Sequence, residues 1–478
     1  MIARLRARLA PEHVVAIVFV AAMFMSIMDT TVVNVAIPTL GREFSASNAQ
    51  VDWVVTGYLL SLAVFIPASG WIGDRFGSKR TFLFALAVFT VGSLLCGLAT
   101  SLSQLIAFRV LQGVGGGMMT PVGTAMLFRA FPPERRARAS QVLIIPTVLA
   151  PALGPIVGGL LVQSLSWRWV FTVNVPIGLA AFAFGAVLLV EHREDRAGRF
   201  DLPGFLLSGT GLATLLYAIS QGPVRGWGSP VVIATGVVAV VAFVLLVMVE
   251  LRRVEPMLDL RLLSDRLFRQ SNLVCLFAYA AFLGLLFIMP IFLQEARGAG
   301  PLDSGLTTFP EAVGVLLATQ LVVGRVYGRV GPRRLMTGGL VWLALCLVAM
   351  SFMDASTSEW TIRALMFATG AGMAFVIMPQ QAATFATISS ADTGRASAIY
   401  NTQRQTAAAL GVAVLATVLT SAGGSTTTPE PDAFPVVFLV AAGIAVVGAV
   451  LALFIHDEDA ASTMGSRRRD VEVEVAPA

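Results

Sequence analysis

One lysine, three histidines and three cysteines are all that this 478-residue chain offers of the side chains on which most phosphate, metal and nucleophilic chemistry depends. The lysine is Lys79, preceded by Ser78, so the Gly-Lys-[Ser/Thr] core of a phosphate-cradling loop does not occur. The chain thus has no P-loop, and any energy it uses must come from an ion gradient, from its substrate's own gradient or from a partner. Cys96, Cys275 and Cys346 lie in separate apolar runs with no Cys-x-x-Cys spacing, which argues against a disulfide framework or a zinc site. His13, His192 and His456 all flank apolar runs, so neither catalysis nor a resident cofactor is indicated. Charge is also scarce. Only 13% of residues are charged, against about 25% in soluble domains.

What fills the chain instead is apolar: 56% of residues, with a mean hydropathy of +0.80. Runs of spanning length recur, separated by short polar connections. They cover about 14–39, 51–72, 81–100, 103–128, 140–164, 169–190, 203–221, 230–250, 268–294, 308–324, 335–352, 360–380, 397–420 and 433–455. This reading is an all-α integral membrane protein with fourteen transmembrane helices and both termini on one side. Arg4, Arg6 and Arg8 precede the first run as in a signal peptide. That run is too long for an h-region and has no convincing small-residue cleavage site, so a retained first span is expected.

With the N-terminus cytoplasmic, twenty-six of the 33 basic residues fall in cytoplasmic segments. The outer loops hold only Arg42, Arg168, Arg225 and Arg297, and Arg109, Arg363 and Arg404 lie within spans. This positive-inside asymmetry places both termini in the cytoplasm. It also explains a pI near 9.5 without nucleic acid, while leaving room for anionic lipid at the inner surface. The segment Ser466–Ala478, with Arg467–Arg469 and alternating valines and acids, reads as a disordered cytoplasmic tail.

An internal repeat organises the spans. Gly70-Trp71-Ile72-Gly73-Asp74-Arg75-Phe76-Gly77-Ser78-Lys79-Arg80 aligns with the stretch Gly324–Arg334 at an offset of 254, matching Gly70/Gly324, Arg75/Arg329, Gly77/Gly331 and Arg80/Arg334. Arg138-Ala139-Ser140 recurs as Arg395-Ala396-Ser397, Gly113 and Gly115 as Gly370 and Gly372, and Gly154 as Gly411, all at offset 257. Spans 1–6 and 9–14 therefore read as related halves, 1–190 and 267–456. Two extra spans lie in an insert, 191–266, and 457–478 forms the tail. Parallel repeats with a site between them are a transporter architecture.

Two charges inside the spans stand out. Asp29 lies in the first run, where an acid is costly and is a functional hypothesis by default. Arg109 lies in the fourth span, and spans 1 and 4 of one half can approach each other. Burial raises a carboxyl pKa and a nearby guanidinium lowers it, which makes proton occupancy sensitive to conformation; a static buried ion pair is the alternative. In the 70–80 loop, Gly70 permits close helix approach and Gly77 a tight turn. Asp74 can pair with Arg75 or with a basic group on a neighbouring helix, as a latch that holds one conformation. Gly154 and Gly158 lie on one face of the fifth span, and Pro155 bends it. A tight contact there would seal one side of a pathway. Thr308 to Glu311 has capping-box spacing, so Glu311 is either a first-turn acid or a second acid near the outer mouth that attracts cations. Asp52 and Glu295 are expected at solvated outer helix ends. Arg404 either lines a cavity or pairs within the second half.

These stretches together resemble the Major Facilitator Superfamily, and within it the fourteen-helix drug:proton antiporters, over all but the first dozen residues and the tail. Gly70–Arg80 matches the superfamily's G-x-x-x-D-R-x-G-x-[RK]-[RK] loop, Asp74, Arg75, Lys79 and Arg80 included. Met28–Pro38 matches L-D-x-T-x-V-N-V-A-L-P, with Met28 and Ile37 departing. Arg109-x-x-Gln112-Gly113 matches R-x-x-Q-G, and Gly154, Pro155, Gly158 and Gly159 match the G-P-x-x-G-G of the fifth helix that marks antiporters. Trp167-Arg168-Trp169 with Phe171, Asn174 and Pro176 also fits, as does Asn401-x-x-Arg404-Gln405. The resemblance implies alternating access, with proton coupling at Asp29 and Arg109. It implies a cavity touched by Asn34, Gln112, Glu311, Asn401 and Arg404. The expected function is export of amphipathic, cationic compounds in exchange for protons across the plasma membrane. Export of one endogenous metabolite, peptide, siderophore or antibiotic is the alternative, and a non-transporting membrane sensor a lesser one.

Overall fold

Long apolar stretches in a membrane must satisfy their backbone polar groups internally, which helices do. The computed structural model describes residues 10–132, 135–194, 199–253, 255–322, 326–425 and 428–464. The expectations for Arg4, Arg6 and Arg8, for Gly324 and Arg325 of the repeat, and for the segment from residue 465 onward lie outside the described residues.

A helix occupies each of the fourteen expected ranges. These are α1 Pro11–Glu43, α2 Asn48–Phe76, α3 Ser78–Leu98, α4 Leu102–Ala130, α5 Arg136–Ser164, α6 Asn174–Leu188, α7 Leu202–Arg225, α8 Pro230–Arg252, α9 Arg266–Ile291, α10 Pro310–Leu321, α11 Pro332–Met350, α12 Glu359–Thr384, α13 Thr393–Gly423 and α14 Phe434–Ala452. Eleven helices are long and apolar enough to cross a membrane, and α5 makes a twelfth if its two arms, bent by 43° beyond Pro151, count as one span. Two of the expected spans fall short. Arg109, Gln104, Gln112 and a glycine run dilute the apolar character of α4, and α10 is a short helix that ends at Leu321. On length and apolarity alone, fourteen spans are therefore not reached among the described residues. A two-residue antiparallel ladder, Gly424–Ser425 with Thr428–Pro429, joins α13 to α14.

The repeat seen in the sequence recurs in the packing. Within α1–α6, α1 packs on α5, α2 on α4, α3 on α4 and α6, and α1 on α6; within α9–α14 the same pairings recur as α9 on α13, α10 on α12, α11 on α12 and α14, and α9 on α14. Repeated glycines sit at equivalent contacts. A Cβ on Gly113 would strike the Tyr58 carbonyl of α2, and one on Gly370 the Glu311 carbonyl of α10; one on Gly154 would strike Thr31 of α1, and one on Gly411 the Ala280 backbone of α9. The loops entering α3 and α11 match as well. Gly77 and Gly331 both have positive φ, +98° and +85°. Glu191, beyond α6, accepts from the backbone N–H of Lys79 at 2.9 Å, and Asp457, beyond α14, accepts from that of Arg333 at 2.9 Å. These two carboxylates cap equivalent helix starts, a feature that the sequence repeat did not show.

The inserted α7 and α8 pack mainly on each other, and α7 also lies against α2 and α13. Only 22% of the most apolar window of α8 is buried, and Val237, Val240 and Val244 face outward, as a lipid-facing helix requires.

Overpacking tests the interlock. Gly411→Leu is expected to destabilise the detergent-purified protein by about 1–3 kcal/mol, read as a lower thermal unfolding midpoint. Gly443→Leu, where a side chain meets open space, should leave the midpoint unchanged.

Candidate functional site

Asp29 stands on α1 and is 1% exposed, and Arg109 on α4 is fully buried. Neither charge is tolerable alone in an apolar interior, and the helices bring them together. Arg109 Nη1 donates to Asp29 Oδ2 at 2.5 Å. Gln112 Nε2 and Asn174 Nδ2 each donate to Asp29 Oδ1 at 3.0 Å. Arg109 and Gln112 are three apart on α4, so one helix face presents both, and Arg109 Nη1 also donates to Gln112 Oε1 at 2.8 Å. Asn174, at the start of α6, is held in turn by Ser93 of α3. The guanidinium lies 4.2 Å from the centroid of the Tyr58 ring, and its Nε donates to the Val54 carbonyl at 3.0 Å, both on α2. Five helices thus hold one ion pair.

A second cluster lies where the arginine-rich loops meet, here called the basic end. Asp74, at the close of α2, accepts from Arg129 Nη2 of α4 at 2.8 Å. Arg129 also donates to Ser78 Oγ and to the Ser390 carbonyl, so it ties the α2–α3 loop to the loop between α12 and α13. Further links between α1–α6 and α9–α14 gather here. Ser397 Oγ donates to the Pro121 carbonyl at 2.7 Å, Gln141 bonds Gln320, Arg136 bonds the Phe385 carbonyl, and Phe128 stacks on Phe385 with centroids 4.3 Å apart. Gly70 and Gly394 make room: a Cβ on Gly70 would meet the Gly394 carbonyl, and one on Gly394 would meet Asp74. The basic end is closed.

The opposite end holds a cavity of about 550 Å³. Asn34 and Ile37 of α1, Asp52, Val55, Thr56 and Leu59 of α2, Phe287 of α9 and Gln405 of α13 contribute to its walls. So do Leu216, Ile219, Ser220 and Gln221 of the inserted α7. Asp52, expected at a solvated helix end, is the only formally charged side chain in this lining.

The structure sorts the predicted residues into different places. Asn34 lines the cavity. Gln112 does not, because it is consumed by the Asp29 pair. Asn401 is buried and bonded to Ser397 of its own helix, and neither it nor Arg404 lines this cavity. Glu311 is 6% exposed and away from the cavity. Its capping box does not form, because Thr308 ends a separate short helix, Pro301–Thr308, and donates back to Ser304 and Gly305. Arg75 is exposed, and the partner of Asp74 is Arg129. Lys79 donates to the Ala186 carbonyl, and Arg80 faces Glu191 at 3.7 Å, so both fasten the α3 start to the end of α6. Gly154 and Gly158 pack α5 on Thr31 and Val32 of α1, inside one six-helix group, so they do not form a seal across the two groups. Gly159 meets open space. The side chain of Pro155 lies outside the described residues.

Asn174 and Arg129 were missed as functional partners. Asn174 was visible only as part of a motif, and Arg129 only as one of several loop arginines.

The comparisons with known proteins agree with this architecture. The family model described as Major Facilitator Superfamily matches residues 19–317 and 273–477. The chain is 35% identical over 412 residues to "Multidrug resistance protein B homolog" of Mycobacterium tuberculosis (strain ATCC 25618 / H37Rv), covering 84% of this chain and 75% of that protein. It is 36% identical over 340 residues to "Putative multidrug resistance protein MdtD" of Escherichia coli O157:H7, covering 70% and 71%. In fold it is similar to the human organic anion transporter MFSD10 (TETRAN), with a TM-score of 0.67, 15% identity and coverage of 93% of this chain and all of that one. It is also similar to the proton:xylose symporter XylE, with a TM-score of 0.66, 14% identity and coverage of 95% and 98%. The chain belongs to the Major Facilitator Superfamily. It is a multi-pass membrane transporter and not an enzyme.

Arg129 provides the test of the closed end. Arg129→Ala leaves the Asp74 carboxylate buried without its partner, a loss of about 3–5 kcal/mol for buried pairs. A cysteine at Ser397, which is fully buried, should be inert to a permeant maleimide in the otherwise native protein and react readily once Arg129→Ala is added.

Proposed function

We propose that this protein exports amphipathic cations in exchange for protons by alternating access. The observation that carries the reading is the placement of α2. Its Val54 carbonyl and Tyr58 ring hold Arg109, while its Val55, Thr56 and Leu59 line the cavity. Asp29 and Asn34 are five residues apart on α1, roughly 140° around the helix and about 7.5 Å along it. The carboxylate therefore sits behind α1 as seen from the cavity. Substrate does not touch Asp29 in this conformation, and α2 is the direct mechanical route between them.

The chemistry follows from the pair. Protonation of Asp29 removes the charge that compensates Arg109 and weakens three hydrogen bonds at once. Arg109 must then find other acceptors, which shifts the Val54 carbonyl and with it the cavity wall. A cation entering the cavity pushes the same linkage the other way and favours the ionised carboxylate. The energy is the proton gradient, in keeping with a chain that has no P-loop.

The cavity supports the substrate class. Its walls are aliphatic and aromatic, with a few amide and hydroxyl groups and a single acid, Asp52. That combination suits a greasy body with one positive charge. Two relatives whose names include multidrug resistance point the same way. In this reading the basic end is cytoplasmic by the positive-inside rule, both termini face the cytoplasm, the membrane is the plasma membrane, and all fourteen helices span it. Residues 1–190 and 267–456 rock against each other, with 191–266 as the insert. The closed basic end then corresponds to an outward-facing state. Glu311, Asn401 and Arg404 belong to surfaces that this state keeps from the cavity.

Two outcomes test the proposal. Asp29→Asn should fold normally yet lose gradient-driven accumulation of a lipophilic dye into energised inverted vesicles by tenfold or more, and undiminished accumulation would rule out the mechanism. Asp52→Asn should weaken half-saturation for monocationic dyes by about fivefold, equivalent to about 1 kcal/mol for a wet charge contact, and leave neutral substrates unaffected.

A further inference from the structure

We infer that the inserted helix α7 is a wall of the substrate cavity and selects among cations by a hydrogen-bonding patch, Ser220 and Gln221, beside the apolar pair Leu216 and Ile219. This inference rests on the exporter reading above and specifies one of its binding surfaces. It goes beyond the repeat logic, in which the substrate site belongs to the two six-helix groups and the insert has no assigned part.

The packing fixes α7 where a wall is needed. Along α2, Phe205 meets Phe65 with centroids 5.7 Å apart, Gly209 lets the helix close on Val64, and Tyr217 stacks on Trp53 at 6.2 Å and 28°. Beyond the end of α7, Trp227 Nε1 donates to Thr417 Oγ1 of α13 at 2.9 Å. The helix therefore bridges α2 and α13, which belong to different six-helix groups and flank the cavity. Leu216, Ile219 and Ser220 stand at i, i+3 and i+4, so one face of α7 turns all three toward the cavity. α8 lies behind it with valines outward. The pair of helices thus separates this part of the cavity from lipid.

The polar atoms of this face have assigned directions. Ser220 Oγ donates to the Tyr217 carbonyl at 3.0 Å, which leaves the hydroxyl oxygen as an acceptor toward the cavity. Gln221 Oε1 accepts from Arg225 Nε at 2.8 Å, which leaves the amide N–H groups as donors. Arg225 itself is exposed at the rim, where salt screens its charge. The patch offers one acceptor and a pair of donors next to two aliphatic side chains. It matches a flat lipophilic cation that carries amino, amide or hydroxyl substituents. A cation with no hydrogen-bonding group gains nothing from it.

Ethidium, with two aromatic amines, and tetraphenylphosphonium, with no such group, are the probes. In cells expressing the full chain, the double variant S220A/Q221L should raise the half-saturation for ethidium efflux relative to that for tetraphenylphosphonium roughly two- to tenfold. Cys96, Cys275 and Cys346 are buried, so a Ser220→Cys variant reports on one site. It should react with an impermeant maleimide added outside, and saturating ethidium should slow that reaction. If wild-type efflux proves independent of the proton gradient, the exporter reading fails. If wild-type efflux is proton-driven but the ethidium to tetraphenylphosphonium ratio is unchanged in S220A/Q221L and ethidium does not slow labelling, the assignment of α7 alone is overturned.

Discussion

A carboxylate and a guanidinium taken out of water cost several kcal/mol each, and only their mutual attraction and a full set of hydrogen bonds offset that cost. Asp29 and Arg109 meet this demand with help from every quarter of the N-terminal helices: Gln112 from the same face as Arg109, Asn174 from α6 and the Val54 carbonyl with the Tyr58 ring from α2. The glycines of α4 and α5 serve this arrangement. Without Gly113 the Tyr58 backbone could not come so close, and without Gly154 the stretch of α1 next to Asp29 would be pushed off α5.

The same constraint makes the interior responsive. In the proposed mechanism one proton on Asp29 unbalances the whole cluster, and the element that feels it most directly is α2. That helix carries Val54 and Tyr58 at the ion pair, Val55, Thr56 and Leu59 at the cavity, Trp53 and Phe65 against α7, and Gly70 and Asp74 at the closed basic end. The ion pair, the cavity, the inserted helix and the Asp74 cluster therefore all touch one helix. Packed cores switch between discrete arrangements and do not deform gradually. In the proposed mechanism a small shift of α2 at the ion pair therefore reaches the cavity wall that the same helix forms.

Much of this could be read from the sequence, for identifiable reasons. Apolar runs of spanning length placed a helix in each of fourteen ranges, and the repeat aligned glycines that the structure sets at equivalent helix contacts, where only a missing Cβ allows backbones that close. The pairing of Asp29 with Arg109 was accessible because two charges in apolar spans have few other partners. Arg129 was not, since nothing local distinguishes it from Arg135, Arg136 and Arg138, and its tie to Asp74 spans 55 residues. Gln112 was placed on the wrong surface because an intramembrane amide can face either a cavity or a charge. Asp52 was read only as a solvated helix end, and the α7 face was missed because the sequence does not show which side of a helix turns toward a cavity. Glu311 failed as a capping box because the helix before it ends at Thr308, a boundary that Pro310 only hinted at.

Proton release from Asp29 when a cation fills a cavity that Asp29 does not face is the central step of the proposed mechanism. Adding tetraphenylphosphonium to the purified protein in weakly buffered detergent solution measures this directly with a pH indicator. The proposed mechanism predicts more proton release by the wild-type protein than by Asp29→Asn, with binding of the cation retained in both. Equal release by the two proteins would contradict it.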